Sequence, residues 1–278
     1  MRPLAWPLAL LLALTPLACL AADTYDATYG QGPSAFSLAT GSPGELGLLQ
    51  ALAEAFSPTA QARLNWKKAG SGEGLKLLQA KAVDMIMVHA PKAEKEAVAQ
   101  GWATQRTLLG SNEFFIVGPA SDPAGIAQAA DVKDAYARIA KAQAKFFSRG
   151  DNSGTHQKEM AIWKMAGITP QDGWYIVTKA FMAATLKRAN DEGGYFMTDS
   201  STWVQEAAKL PGLKVLFKGD KYLVNTYHAL RQPDGVTPGA ALAGRFIDFV
   251  ASPAGQKIIR EYGGGLYNDA AYAKQYDD

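Results

Sequence analysis

Cysteine is almost absent from this chain, because Cys19 is the only one among 278 residues. The chain therefore has no internal disulfide framework, and its three scattered histidines give few ligands for a zinc site. Charged residues are also few, at 19%, and the net charge of +2 indicates no broad electrostatic surface for nucleic acid. We expect no metal, no cofactor and no nucleic-acid partner.

The N-terminus has the pattern of a secretory signal. Arg2 is the basic start, the stretch from Leu8 to Leu20 is apolar, and the small residues Ala21 and Ala22 offer a cleavage site. That stretch is too short to favour a transmembrane span, and no later apolar run is long enough to cross a bilayer. We expect residues 1–22 to be a signal peptide and the protein to be a periplasmic monomer.

A lipoprotein anchored through Cys19 is the competing interpretation of the N-terminus. Lipoprotein sites usually have leucine three residues before the cysteine, where this chain has Pro16. Firm anchoring also normally needs two acyl signals. The soluble secreted form is therefore favoured, and the lipid-anchored form stays open as an alternative.

Short apolar runs alternate with amphipathic stretches from Phe36 onward, which predicts an α/β protein built from βαβ units with a mostly parallel sheet. Amphipathic spacing predicts helices between the strands and two further helices near the C-terminus. The predicted strands lie at 37–40, 83–88, 114–117, 176–178, 194–198, 214–217 and 222–227. The predicted helices lie at 46–56, 94–100, 132–139, 157–166, 242–250 and 254–262.

The residues from Phe146 to His156, FFSRGDNSGTH, form a strand-to-helix corner rich in hydrogen-bond donors. Gly150 and Gly154 let the backbone bend and approach a ligand closely. The amides at a helix start carry partial positive charge and suit an anion, and Arg149 adds a planar donor fork. This corner is suited to hold an oxyanion without a metal, although its composition also fits an ordinary loop.

This corner closely resembles the signature of the tungstate-binding components of ABC transporters, within the wider family of periplasmic binding proteins. Similar segments follow in family order: VHAPKAEKE at 88–96, DPAGI at 122–126, and the less specific SPAGQKII at 252–259. The resemblance runs from about Leu38 to about Gly263. It implies a type II-like fold of two α/β lobes, with the ligand cleft between them and two crossing strands near 115–117 and 223–225. Lobe one would be residues 24–115 plus 226–278, and lobe two residues 116–225.

Two further corners are candidates for anion contacts. Ser42 with Glu45 three residues later fits a capping box, so Ser42 is either a helix cap or a ligand contact. Glu45 opposes an anion unless its carboxylate turns away. Ser71 lies where the family has a polar contact, although a plain glycine-rich loop fits equally well. The predicted anion-binding residues are Thr40, Ser42, Ser71, Arg149, Ser153, Gly154 and Thr155, with Ser148, Asp151 and Lys179 in support.

The chain departs from the family pattern at two loops. The family usually has a Thr-Thr-Thr-Ser run where this chain has TGSP at 40–43, and a Gly-Gln-Gly-Met-type turn where it has KAFM at 179–182. Lys179 is either an added cation or a solvated side chain, and Asp151 is expected to pair with Arg149 or to cap the next helix. We therefore expect the chain to bind an anion. The expected ligand is tungstate or molybdate, and the alternative is an organic anion.

Three functional classes remain to be compared. The resemblance implies an extracytoplasmic binding protein that delivers a tetrahedral oxyanion to an ABC permease in the inner membrane. A sensor that docks on a membrane receptor needs the same loaded form, so the sequence does not separate it. A serine hydrolase lacks support, because no candidate serine lies in a GxSxG or Ser-x-x-Lys pattern. We expect a binding protein and not an enzyme.

Overall fold

The computed structural model describes residues 24–171 and 173–277. The predicted signal peptide and Cys19 lie outside these residues. Within them, no helix is both long enough and apolar enough to cross a membrane. Strands and helices alternate along most of the chain, as the sequence predicts.

The helices and strands have the following bounds. The strands are β1 (Ala27–Tyr29), β2 (Ser34–Thr40), β3 (Ala62–Lys68), β4 (Met85–Val88), β5 (Thr104–Pro119), β6 (Phe146–Ser148), β7 (Tyr175–Val177), β8 (Tyr195–Asp199), β9 (Leu213–Phe217), β10 (Val224–Arg231) and β11 (Asn268–Asp269). The α-helices are α1 (Ser42–Glu45), α2 (Leu48–Ala60), α3 (Ser71–Gln79), α4 (Pro91–Ala99), α5 (Val132–Ala142), α6 (Gly154–Met165), α7 (Met182–Glu192), α8 (Ser200–Glu206), α9 (Ala240–Ala251), α10 (Pro253–Glu261) and α11 (Ala270–Ala273).

The strands form one mixed sheet in the order β1-β3-β2-β4-β10-β5-β8-β6-β7, with β9 and β11 also paired to β5. The prediction of a mostly parallel sheet is wrong. Parallel pairing is confined to β2 with β3 and β4, and to β6 with β7 and β8. The strands β5 and β10 run antiparallel to their neighbours, because they carry the chain out of one group of parallel strands and back again.

Strand β5 belongs to both halves of the sheet. Its residues 104–113 pair with β10, and residues 114–119 pair with β8 and β9. The chain returns through a short 3₁₀ turn, Lys221–Leu223, directly into β10. We call the part built on β1–β4, β10 and the start of β5 the first lobe, and the part built on the rest of β5 with β6–β9 the second lobe. The predicted domain boundaries at 115/116 and 225/226 stay predictions.

Helices cover both faces of each half of the sheet. In the first lobe, Phe36 of β2 packs against Phe246 of α9 with ring centroids 5.4 Å apart, and Phe56 of α2 completes this cluster. In the second lobe, Trp163 of α6 packs on Tyr136 of α5 with centroids 4.4 Å apart. Burying such aromatic side chains is a dominant stabilising contribution. Each lobe therefore has its own core.

Candidate anion-binding site

A small cavity lies where β2, β3 and β4 of the first lobe and β6 of the second lobe end. Carboxyl ends of parallel strands are the usual place for a ligand in such sheets. The cavity volume is about 10 Å³, about the space that one water molecule needs, so the cavity in this form has no room for a large ligand. Its walls are formed by Gly41, Ser42, Pro43, Glu45, Gly70, Ser71, Met87, His89, Arg149, Ser153, Phe181 and Tyr227.

Helix starts from both lobes face each other across this cavity. Helix α3 begins at Ser71 after Gly70, and α6 begins after Ser153, whose Oγ accepts a hydrogen bond from the His156 amide at 3.3 Å. A Cβ atom on Gly70 would lie 3.2 Å from the Ser153 Cβ, so the two starts are in contact. The first amides of a helix have no partner inside it and carry partial positive charge. The arrangement therefore favours an anion between the lobes.

Arg149 is the buried cation of the site, with 4% of its surface exposed. Its Nε and Nη2 groups donate to Oδ2 of Asp151 at 3.0 and 2.6 Å, the ion pair that the sequence predicts. This leaves the Nη1 group to donate elsewhere. Burial raises the pKa of Asp151, but Arg149 and the hydrogen bonds from Ser153 outweigh burial and hold the pKa below its usual value. The ionised carboxylate thus fixes the guanidinium in place.

The supporting residues Ser148 and Lys179 shape the loop that carries Arg149. Gly150 has a positive φ of 59°, and the Ser148 Oγ accepts from its amide at 3.2 Å. The Lys179 amide donates to the Arg149 carbonyl at 3.0 Å, and its exposed ammonium donates to the Gly150 carbonyl. Neither side chain lines the cavity. Both residues therefore hold the loop, and the solvated alternative for Lys179 agrees with its exposure.

Ser42 lines the cavity but does not cap a helix, so the predicted capping box is wrong. Gly41 occupies the cap position, Ser42 is the first residue of α1, and no side chain makes a capping hydrogen bond there. The Ser42 Oγ instead donates to Oδ2 of Asp199 in the second lobe at 3.5 Å. Glu45 forms an ion pair with Lys68, which offsets the charge of its carboxylate. Ser42 thus joins the two lobes at the cavity edge.

The hydroxyls of Thr40, Ser71 and Thr155 have different surroundings. The predicted contact by Thr40 is not supported, because its fully buried Oγ1 donates to the Met87 carbonyl at 2.8 Å and ties β2 to β4 behind the cavity. Ser71 lines the cavity, and its Oγ accepts from the His89 amide at 3.1 Å, so its proton can still reach a ligand. Thr155, in the first turn of α6, has a buried Oγ1 without a hydrogen-bond partner in the described chain.

His89, Phe181 and Tyr227 line the cavity but are missing from the residues predicted to contact the anion. Burial, and to a smaller extent the charge of Arg149, lower the pKa of His89 to about 3, so the ring is neutral. It packs on the Tyr227 ring with centroids 4.9 Å apart. In the sequence, the one indication that His89 lies near the site is its position directly after the predicted strand at 83–88. For Phe181, the corresponding indication is its position in the KAFM loop at 179–182, which departs from the family pattern.

A buried amide network lies where the chain crosses between lobes. The Asn225 side chain on β10 donates to the Asn112 side chain on β5 at 2.8 Å. Asn112 in turn donates to the Ser201 Oγ at 2.9 Å and to the Asp199 carboxylate at 3.4 Å. Asp199 also caps α8 through the Thr202 amide at 2.8 Å. The network links the crossing strands to Ser42 through Asp199 and gives the crossing a defined hydrogen-bonded geometry.

Comparison with known proteins agrees with this geometry. Residues 26–254 match the family model described as the PBP superfamily domain. The tungstate-binding protein TupA of Peptoclostridium acidaminophilum is 33% identical over 263 residues, which cover 93% of this chain and 92% of that protein. The matched parts of the curated relatives range from 66% to 92% of their lengths.

Solved structures give the same result. The tungstate ABC transporter structure from Geobacter sulfurreducens is 35% identical, with a TM-score of 0.75, and the match covers 84% of this chain and 100% of that one. The tungstate-binding protein TupA from Desulfovibrio alaskensis G20 is 38% identical, with a TM-score of 0.71 and coverage of 85% and 98%. The chain therefore belongs to the PBP superfamily and, within it, to the family of the tungstate-binding TupA proteins.

Proposed function

We propose that the protein is the extracytoplasmic binding component of an ABC importer and that it holds a small oxyanion between its lobes. The observation that carries this proposal is the meeting of the buried Arg149 guanidinium with the starts of α3 and α6 from opposite lobes. Each of these groups donates hydrogen bonds or carries positive charge. A ligand bound there touches both lobes and favours their closure by hinge motion.

The ligand class is a tetrahedral oxyanion, tungstate first and molybdate second. The names of the relatives support tungstate, and the small cavity favours a compact anion over an organic one. Glu45 on the cavity wall and Asp151 beside Arg149 each pair with a cation. A fully deprotonated dianion accepts many hydrogen bonds and donates none, so a wall of donors suits it better than hydrogen phosphate.

The proposal includes a periplasmic location after loss of residues 1–22, a monomer, and an ABC permease of the inner membrane as partner. The signal-like N-terminus and the transporter names of the relatives support it. Catalysis is not part of the proposal. Within residues 24–171 and 173–277, the serines at the cavity bond to backbone amides or to Asp199, and none bonds to a histidine ring that could activate it.

The direct test is calorimetric titration of the protein purified from periplasmic extracts with tungstate, molybdate, sulfate and phosphate. We expect binding of tungstate and molybdate, with at least tenfold weaker binding of sulfate and phosphate. Thermal denaturation gives a second readout, because ligand at about 100 times its Kd stabilises by roughly 2.7 kcal/mol. Absence of binding to all four anions would overturn the proposal, and preference for an organic acid would overturn the ligand class.

Arg149→Ala is the variant that tests the site itself. We expect the affinity for tungstate to fall by about 2 kcal/mol or more, roughly 30-fold, because a buried charge-assisted hydrogen bond is lost and Asp151 is left unpaired. Arg149→Lys should recover part of the loss, since it keeps the charge but not the fork. The matched control is Arg138→Ala, which breaks an ion pair with Asp134 on α5, away from the cavity. Equal affinity of Arg149→Ala and the control would show that the site is misplaced.

A further inference from the structure

One aromatic ring connects cations of the two lobes beside the cavity. Phe181 lies in the second lobe, immediately before α7. The Nζ of Lys68, the last residue of β3 in the first lobe, lies 4.3 Å from the centre of the Phe181 ring. The Cζ of Arg149 lies 5.1 Å from the same centre. Both distances fall within the range in which a cation is attracted by the face of an aromatic ring.

Core packing does not account for the position of Phe181. The side chain is 37% exposed and is absent from the core of its lobe, where Met182 and Leu186 supply the buried face of α7. Its main contacts with charge are Lys68 and Arg149. Lys68 is itself held by the ion pair with Glu45. An exposed aromatic ring that contacts cations from both lobes points to a role at the lobe contact.

We propose that Lys68 and Phe181 form an interlobe latch that holds the cleft closed over the anion. The inference rests on the proposed function and adds a mechanism of retention to it. The Phe181 ring contacts both Lys68 of the latch and Arg149, the cation of the proposed anion site, so the ring connects the two. Closure places the Lys68 ammonium over the ring, and opening separates them. The latch therefore slows anion release more than it changes anion entry.

A double-mutant cycle separates the latch from a simple effect of charge. Lys68→Gln removes the ammonium, and Phe181→Leu keeps an apolar cover without the aromatic face. An exposed cation–π contact corresponds to about a two- to fivefold change in Kd. We expect each single variant to raise the Kd for tungstate by at least this factor, mainly through faster release. The fold increase in Kd of the double variant should be smaller than the product of the two single increases, because both substitutions remove the same contact.

The chain offers a matched control pair inside the second lobe. The Lys218 Nζ lies 5.8 Å from the Phe115 ring centre, and neither residue lines the cavity. Lys218→Gln and Phe115→Leu should show no coupling in the Kd for tungstate. If the effects of Lys68→Gln and Phe181→Leu simply multiply, Lys68 acts as a distant charge and the latch is refuted.

A measurement without ligand keeps the latch distinct from the proposed function. The exported chain is expected to lack cysteine, so Glu54→Cys on α2 and Lys141→Cys on α5 can carry spin labels, one on each lobe. We expect Lys68→Gln and Phe181→Leu each to shift the distance distribution toward longer, open distances. Unchanged distributions would overturn the latch. Failure of every anion to bind would overturn the proposed function, while the distance shift would still support the latch.

Discussion

At the scale of single residues, the site places two carboxylates next to a cavity proposed for an anion. Asp151 pairs with Arg149, and Glu45 pairs with Lys68, so each negative charge is offset by a neighbouring cation. The Asp151 pair is the more buried, because the Arg149 side chain is 5% exposed whereas Lys68 is 32% exposed. Asp151 therefore orients Arg149, whereas Glu45 lies at the cavity wall and weakens the attraction for an anion.

Glu45→Gln should tighten anion binding about two- to threefold. The substitution removes a negative charge from the cavity wall and leaves the Lys68 charge in place, and the gain is modest because both side chains are partly exposed to solvent. Calorimetric titration at low and high salt is the measurement, and the gain should shrink as salt rises. Glu73→Gln, an exposed residue in the first turn of α3, is the matched control. Weaker binding by Glu45→Gln would mean that the carboxylate positions Lys68 for the latch.

At the scale of elements, α3 and α6 meet with little more than backbone between them. A Cβ atom on Gly72 of α3 would lie 2.3 Å from the Asn152 carbonyl, and one on Gly154 of α6 would lie 2.4 Å from Cε1 of His89. Distances this short do not occur between a real Cβ and its neighbours. The glycines therefore allow the helix starts of opposite lobes to approach closely enough to share one small ligand.

Gly154→Ala should separate ligand binding from folding. We expect the affinity for tungstate to fall at least tenfold, because the added methyl group clashes with His89 when the lobes meet. The ligand-free melting temperature should stay the same or rise slightly, since alanine favours a helix by up to about 1 kcal/mol over glycine. His89→Ala in the same protein should restore part of the affinity by making space.

The matched control is Gly74→Ala in α3. Its Cβ would lie 3.4 Å from a Val88 methyl, an ordinary contact distance, so this variant should bind tungstate normally. Normal affinity of Gly154→Ala would show that the loaded form does not bring Gly154 against His89.

The sequence predicts elements well where one periodic pattern covers the whole element. The stripe of Val132, Ala135, Tyr136 and Ile139 corresponds to α5, all four being buried. The sequence does not predict the length of β5, because its first half includes Gln105, Arg106 and Thr107 and has no apolar alternation. Thr104 and Thr107 pair with β10, and the ladder is irregular between them, where Gln105 has a positive φ of 54°. This segment joins the sheet through a contact with β10, which is distant in sequence.

The same limit applies to the site. The corner around Arg149 is predictable because its donors are consecutive in the chain, and the structure places Arg149 and Ser153 on the cavity wall. The contact of His89 with Gly154 and that of Lys68 with Phe181 join residues more than 60 positions apart. Local sequence pattern contains no information on such pairs. The fold is needed to show that Thr40 points to Met87 and that Ser42 reaches Asp199.

At the scale of the whole molecule, the proposed closure of the lobes is expected to change the surroundings of His89. The ring lies at the end of β4 in the first lobe and contacts Gly154 of the second lobe. Burial is the main cause that lowers its pKa from 6.5 to about 3, followed by Arg149 and with a smaller effect of Lys158, while Asn225 and Asp151 raise it. We expect the ring to face solvent in an open cleft and its pKa to return toward 6.5. Closure is therefore linked to the loss of a proton.

Anion binding should consequently weaken as the pH falls below about 6.5 and should be independent of His89 above it. Between pH 6.5 and 3 the open form binds more protons than the closed form, so lowering the pH favours the open form by up to about tenfold in Kd for each pH unit. Titrations with tungstate from about pH 8 to pH 5 measure this dependence, and His89→Gln should reduce it. Because the wild-type protein and its variants are titrated with the same anion, any effect of pH on the anion itself is the same for all of them and cancels in the comparison. His156→Gln is the comparison variant. Burial also lowers the pKa of His156, but this residue lies on α6 outside the cavity wall, so the variant should keep the larger part of the dependence. If His89→Gln and the wild-type protein have the same pH profile, closure does not bury His89, and the arrangement with His89 against Gly154 is not the form that holds the anion.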